Sequence, residues 1–212
     1  METKLSIVNH LLQVTGERRV LTLETGHPSV VQAIQALESW QRDFLGKGWW
    51  FNTNKAVKLL PNNLGEILLP TECLSFRITK GQLDWQAPDN KQQYVKRGNR
   101  LYDSWNNIYT FNKALYADLV IWLDVEDLPQ VAASYLKHWT AGEYYVDDDG
   151  DLNKASKLAE RTMMAWHNLK AEQMRVESTN ALDSPAAQQM LYRINNTGVH
   201  HRANFVGGRP LA

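Results

Sequence analysis

With 212 residues and equal numbers of acidic and basic side chains, 23 of each, the chain has room for one sizeable core or two small ones. It carries no bulk positive charge with which to hold nucleic acid. A single cysteine, Cys73, excludes an internal disulfide framework and fits a reducing compartment; in its apolar run it reads as a small core residue rather than a nucleophile. Met1-Glu2-Thr3-Lys4-Leu5-Ser6 lacks the apolar stretch of a secretion signal and no later run reaches membrane-spanning length, so the expectation is a soluble chain without a membrane partner.

The first predicted element is a helix from Lys4 to Thr15, with Leu5, Val8, Leu11, Leu12 and Thr15 on one side and Gly16 as its stop. Val20 to Glu24 reads as extended or loop-like. The second helix opens at Pro28, which suits a first helical position, and closes at Gly46, which suits the left-handed residue beyond the end. Its stripe is Val30, Ala33, Ile34, Leu37, Trp40 and Phe44, with Gln32, Gln35, Glu38, Gln41 and Arg42 turned away. Trp49, Trp50 and Phe51 come directly after it. Three adjacent aromatics are too many to leave in water, so Trp40, Phe44, Trp49, Trp50 and Phe51 are expected to plug the junction between a helical layer and the next element.

From Asn52 the period changes. Residues 56–60, 67–69 and 74–78 are short apolar or alternating runs cut by Pro61-Asn62-Asn63, Gly65, Pro70 and Gly81, which reads as strands and loops. Ala87-Pro88-Asp89-Asn90 reads as a turn, residues 93–103 as a hairpin around Gly98-Asn99, and residues 117–123 as a last strand. Helical spacing resumes at Pro129, with Asp127 a candidate N-cap and Leu128, Val131, Ala132, Tyr135, Leu136 and Trp139 on one face. The longest helix starts near Leu152 and continues to about Thr179, on a row of Ala155, Ala159, Thr162, Trp166, Leu169, Gln173 and Val176. Thr162 and Gln173 interrupt that row. A short helical piece is predicted over 186–194, and no acidic residue occurs after Asp183, so the end of the chain is basic.

These elements predict an α+β protein: a four-helix bundle with a β-rich insertion between helices 2 and 3 and an extended C-terminal arm. The expected boundaries are 1–51 for the first helix pair, 52–126 for the insertion, 127–183 for the second pair and 184–212 for the arm.

The one dense acidic cluster is Asp147-Asp148-Asp149-Gly150-Asp151. As a calcium loop it fails, because the glycine belongs two places later and the twelfth position is Leu158, which has no carboxylate. It reads instead as a turn whose last aspartate caps the long helix. Glu143 and His138 could join the aspartates as acid and base in a glycan-cleaving cleft, but nothing in the sequence sets that geometry. His200-His201 lacks the further ligands of a metal site, and no nucleophile elbow, phosphate loop or zinc-protease signature occurs. On its residues alone the chain reads as an interaction protein without an evident active site, cofactor or metal.

A pattern across these segments resembles the tail tubular protein A family of short-tailed bacteriophages. It runs in order through Val8-Asn9-His10-Leu11-Leu12, Gly16-Glu17, Thr22-Leu23-Glu24, Gly48-Trp49-Trp50-Phe51-Asn52 and Leu59-Leu60-Pro61. It continues through Tyr94-Val95-Lys96-Arg97-Gly98, Leu101-Tyr102-Asp103 and Asp124-Val125-Glu126-Asp127-Leu128-Pro129. The resemblance implies a virion structural protein, made in the host cytoplasm and built into the phage tail as a head-to-tail adaptor. It implies a ring of twelve copies, a portal protein on one side, the nozzle protein (tail tubular protein B) on the other, tail fibres nearby, and DNA passing through the channel without sequence recognition. It implies no catalysis in general, although some relatives resemble glycan-hydrolysing proteins, and a glycan hydrolase or glycan-binding tail component is the alternative. The basic end departs from the family pattern. In that context Met190, Leu191, Tyr192, Arg193, Ile194, Arg202, Phe205 and Arg209 are expected to belong to a portal-binding arm. A DNA-contacting tail is a third reading.

Overall fold

The computed structural model describes residues 2–24, 26–79, 94–149 and 151–177. The expected turn at Ala87-Pro88-Asp89-Asn90, the helical piece over 186–194 and the whole C-terminal arm lie outside them.

Among the described residues four helices and five strands occur in blocks, so the fold is α+β. Helix α1, Lys4–Thr15, begins in a capping box in which Thr3 and Ser6 satisfy each other's backbone N–H, and ends at Gly16 in the left-handed conformation. Its buried side is Ile7, Val8, Leu11, Leu12 and Val14, rotated slightly from the predicted one: Leu5 and Thr15 are only partly covered. Helix α2, Pro28–Gly46, has Pro28 in its first turn. Two details differ from the sequence reading. Gly46 is still helical, and the left-handed residue is Gly48, with φ +72°. Gln41 is buried rather than outward, because its side-chain amide donates to the Leu123 carbonyl at 2.7 Å.

Strand β1, Thr53–Leu59, β2, Cys73–Ile78, and β5, Leu115–Ile121, form an antiparallel sheet in the order β1-β5-β2. A bulge interrupts β1 between Asn54 and Val57; within it Ala56 takes φ +54° and its N–H donates to Asp118 Oδ1 at 2.9 Å. Strands β3, Tyr94–Arg97, and β4, Arg100–Asp103, make the hairpin around Gly98, whose φ is +61°. The run 67–69 is not a strand of either sheet. It touches the hairpin through a bridge between Leu68 and Arg100 and buries Ile67 and Leu69. A second apolar cluster, including Ile67, Leu69, Cys73, Leu101, Leu115 and Leu119, sits among these strands.

A short 3-10 turn, Val125–Asp127, leads through Pro129 into α3, Gln130–Asp149. Asp127 closes that turn, and the Pro129 carbonyl accepts from Ala132 and Ala133 at the helix start. Helix α3 continues to Asp149, so Asp147 to Asp149 are its last turn rather than an open loop. Helix α4 is Leu152–Val176.

Helices α1, α2 and α3 pack on one another. The start of α1 is tied to α3 by Lys137 to Glu2 at 3.0 Å and to the 3-10 turn by the Lys4 N–H to Glu126 Oε1 at 2.7 Å. Helix α4 enters the same core with Leu158, Ala165 and Leu169. Leu169 is on the predicted row, and Trp166 of that row packs half-buried against the core, but Leu158 and Ala165 lie off it. Ala155, Ala159, Thr162 and Trp166 run beside the buried positions along an open groove. The chain divides into two units, residues 1–173 and 174–212, and both apolar clusters lie in the first.

Candidate functional site

Where α2 gives way to β1, seven aromatic rings gather: Phe44, Trp49, Trp50 and Phe51 with Tyr135, Trp139 and Trp166 from the later helices. Phe44 and Trp49 are buried, while Trp40, Trp50 and Phe51 are half-buried against the helical core. Trp49 Nε1 donates to the Phe44 carbonyl at 2.8 Å, which satisfies the indole inside the core. Gly48 makes the turn possible, since a Cβ there would lie 3.0 Å from Val120 Cγ2.

Asn52 holds this junction and carries no periodicity signal that would mark it in the sequence. It is fully buried, accepts from Trp49 N at 2.8 Å, and donates to the carbonyls of Leu45 at 3.0 Å and Ile121 at 2.9 Å. One side chain thereby ties α2, the aromatic turn and β5 together. Two lysines were likewise illegible in the sequence. Lys170 Nζ stands 5.0 Å from the Trp49 ring centroid and 4.9 Å from that of Trp166, and Lys47 Nζ is 5.5 Å from that of Trp139.

Beyond the aromatic cluster, α3 and α4 diverge enough to leave a groove of about 450 Å³. Its floor is Gly142, Ala155, Ala159 and Thr162, and its walls include Trp139, Val146, Met163 and Trp166. Thr162 belongs on this seam because its hydroxyl lies 3.0 Å from the His138 carbonyl across the helix pair. Glu143 is the charged group in the lining, and its Oε1 accepts from Trp139 Nε1 at 3.1 Å. The groove is therefore mostly apolar, with the Glu143 carboxylate on Trp139 and Lys47 close to the same ring.

Of the residues considered for glycan chemistry, Glu143, His138 and Asp151 have structural occupations. Glu143 is engaged with Trp139, and His138 packs edge to face on His10. Asp151 Oδ1 accepts from Asn153 N at 3.2 Å in the first turn of α4. Asp147 is exposed near the end of α3. Among the described residues no group of three or more His, Cys, Asp or Glu side chains is placed to hold a metal ion. Burial raises the Cys73 thiol above its ordinary value, which suits a packed side chain. No helix among the described residues is long and apolar enough to cross a membrane. The residues expected in the portal-binding arm, Met190 to Ile194, Arg202, Phe205 and Arg209, lie outside the described residues.

Of these features the open apolar groove is the one that suits contact with another surface. Comparison with known proteins places the chain. The family model for tail tubular protein matches residues 5–181, and the chain belongs to that family. It is 31% identical over 158 residues, 74% of this chain and 80% of the other, to tail tubular protein A of Klebsiella phage KP34. The chain is thus a structural component of a phage tail.

Proposed function

We propose that this chain is the head-to-tail adaptor, a ring that joins the portal to the tail nozzle and forms part of the DNA exit channel. The observation that carries the reading is the family match across residues 5–181, which covers both the helical and the β-rich parts. In this reading α1 to α4 act as a four-helix bundle (residues 1–51 and 127–183), residues 52–126 as a separate lobe, and residues 184–212 as the arm that grips the portal. Two cores with different surfaces give each copy the unlike faces that a closed heterologous ring needs, and twelve copies would match a dodecameric portal. A net charge of zero suits a channel wall past which DNA must slide, because strong phosphate pairing would hold it.

The test is to mix the purified chain with the portal of its own phage, sediment the mixture and image it by electron microscopy. A ring capping the portal is the expected result, and a folded chain that stays unassociated would overturn the adaptor role. Removal of everything after Ser184 should weaken portal binding without lowering the melting temperature; undiminished binding would move the portal contact to another surface.

A further inference from the structure

Between α1, the loop that follows it and α3 lies another cavity, of about 390 Å³, whose chemistry is the opposite of the α3–α4 groove. Its lining is polar apart from Leu5 and includes Ser6, Asn9, His10, Gln13, Arg19 and Lys137. Among the described residues no carboxylate lines it, and its ionised side chains, Arg19 and Lys137, are both cations.

Both cations are held in place with donors left over. The loop that carries Arg19 is clamped by Asn9, whose Nδ2 donates to the Val20 carbonyl at 2.9 Å and whose Oδ1 accepts from Val20 N at 2.7 Å; Leu21, the next residue, stays in solvent. Arg19 uses one N–H on Gln13 Oε1 at 2.6 Å, which fixes the guanidinium and leaves the rest of its fork open. Lys137 donates to Glu2 Oε1 at 3.0 Å and keeps its other ammonium protons. Glu2 stands outside the lining, with its second oxygen taken by the Ser6 hydroxyl at 2.7 Å.

The local potential is positive. Lys137 and Arg161 both oppose a charge on His10 and on His138, and Glu2 favours one. Arg19, Lys137 and Arg161 thus stand against the carboxylate of Glu2. An anion entering such a cavity gains Coulomb energy in a partly shielded place, together with charge-assisted hydrogen bonds from a guanidinium and an ammonium. The donors come from α1, the loop and α3, so they surround a ligand instead of meeting it from one side. That arrangement suits a tetrahedral oxyanion better than a planar carboxylate.

We propose that this cavity is a binding site for a phosphate group, held between Arg19 and Lys137 with the Gln13 amide beside them. The site belongs to the helical part of the chain and depends on neither the ring nor the portal contact.

The test is a titration of the purified full chain with inorganic phosphate at constant ionic strength, followed through the His10 ring signals by NMR. The expected result is a saturable shift, half complete at about 1 mM or below, and a rise of the His10 pKa from about 4 toward 6.5 as the bound charge offsets the cations. Arg19→Gln and Lys137→Gln should each weaken binding about tenfold. Arg19→Lys, which keeps the charge, should retain most of it, and Glu2→Gln, which removes the competing carboxylate, should tighten it. A duplex oligonucleotide that displaces phosphate and moves the same signals would make a nucleic-acid backbone the source of the group; a duplex without effect would leave a small phosphate as the ligand. Chloride acting as well as phosphate, no saturable shift, or binding indifferent to both Arg19→Gln and Lys137→Gln would overturn the site.

Discussion

His10 and His138 meet edge to face across the α1–α3 contact, ring centroids 6.0 Å apart and planes at 89°, and each leaves one buried ring nitrogen, His10 Nε2 and His138 Nδ1, without a protein partner. Burial lowers both pKa values, His10 to about 4 from 6.5, and the cations of Lys137 and Arg161 add to the effect while Glu2 opposes it. Because the folded pKa lies below the unfolded one, the unfolded chain takes up protons first as pH falls. Stability is full above about pH 6.5 and declines toward about pH 4.

His10→Phe, which keeps a ring and removes the titration, should flatten that decline by about 2 kcal/mol between about pH 7.5 and about pH 5. Urea unfolding of both proteins at the two pH values reads it out. An unchanged slope would mean that the pair is not neutral in the folded state.

Asn52→Leu should cost about 3 kcal/mol or more, although the side chain is similar in size and more apolar. It strands the Trp49 N–H in a buried site and takes the amide donor from the Ile121 and Leu45 carbonyls, of which the latter still accepts from Gly48 N. The denaturation midpoint measures the loss. A change below about 1 kcal/mol would show that water replaces the amide.

Two small substitutions should act in opposite directions. Gly48→Ala puts a Cβ 3.0 Å from Val120 Cγ2 at φ +72° and should destabilise by about 1–3 kcal/mol. Ala56→Gly removes a Cβ from φ +54° in the β1 bulge and should stabilise by up to about 1 kcal/mol. Thermal melts of the pair check the signs, and agreement in sign would refute the strain argument.

Lys154 fastens the first turn of α4: its ammonium donates to the Val14 carbonyl at the end of α1 and lies 4.4 Å from the Tyr145 ring centroid. Lys154→Ala should cost about 1 kcal/mol and speed amide exchange in the first turns of α4 more than around Leu169. Uniform exchange along the helix would show that the tether is idle.

Helix periodicity was legible because a 3.6-residue repeat of apolar side chains needs only local sequence. Thus α1 and α2 lie close to where Gly16 and Pro28 place them, and the change of period after Asn52 marks the strands. Hairpin chemistry at Gly98 was legible for the same reason. The phase of α4 was not, because two adjacent rows both recur at helical spacing. Packing added Leu158 and Ala165 to the core beside Leu169 of the predicted row, and left Ala155, Ala159, Thr162 and one side of Trp166 to line the groove. Gln41 and Asn52 become core residues only when distant carbonyls, those of Leu123 and Ile121, are brought within reach. By itself, the sequence determined the α+β class, the element order and, through ordered short motifs, the tail tubular resemblance. The tertiary structure alone decided which positions of α4 are buried, which polar side chains are interior, and that Leu21 stands in solvent on a clamped loop. Each of those depends on contacts between residues far apart in the chain, which no local period encodes.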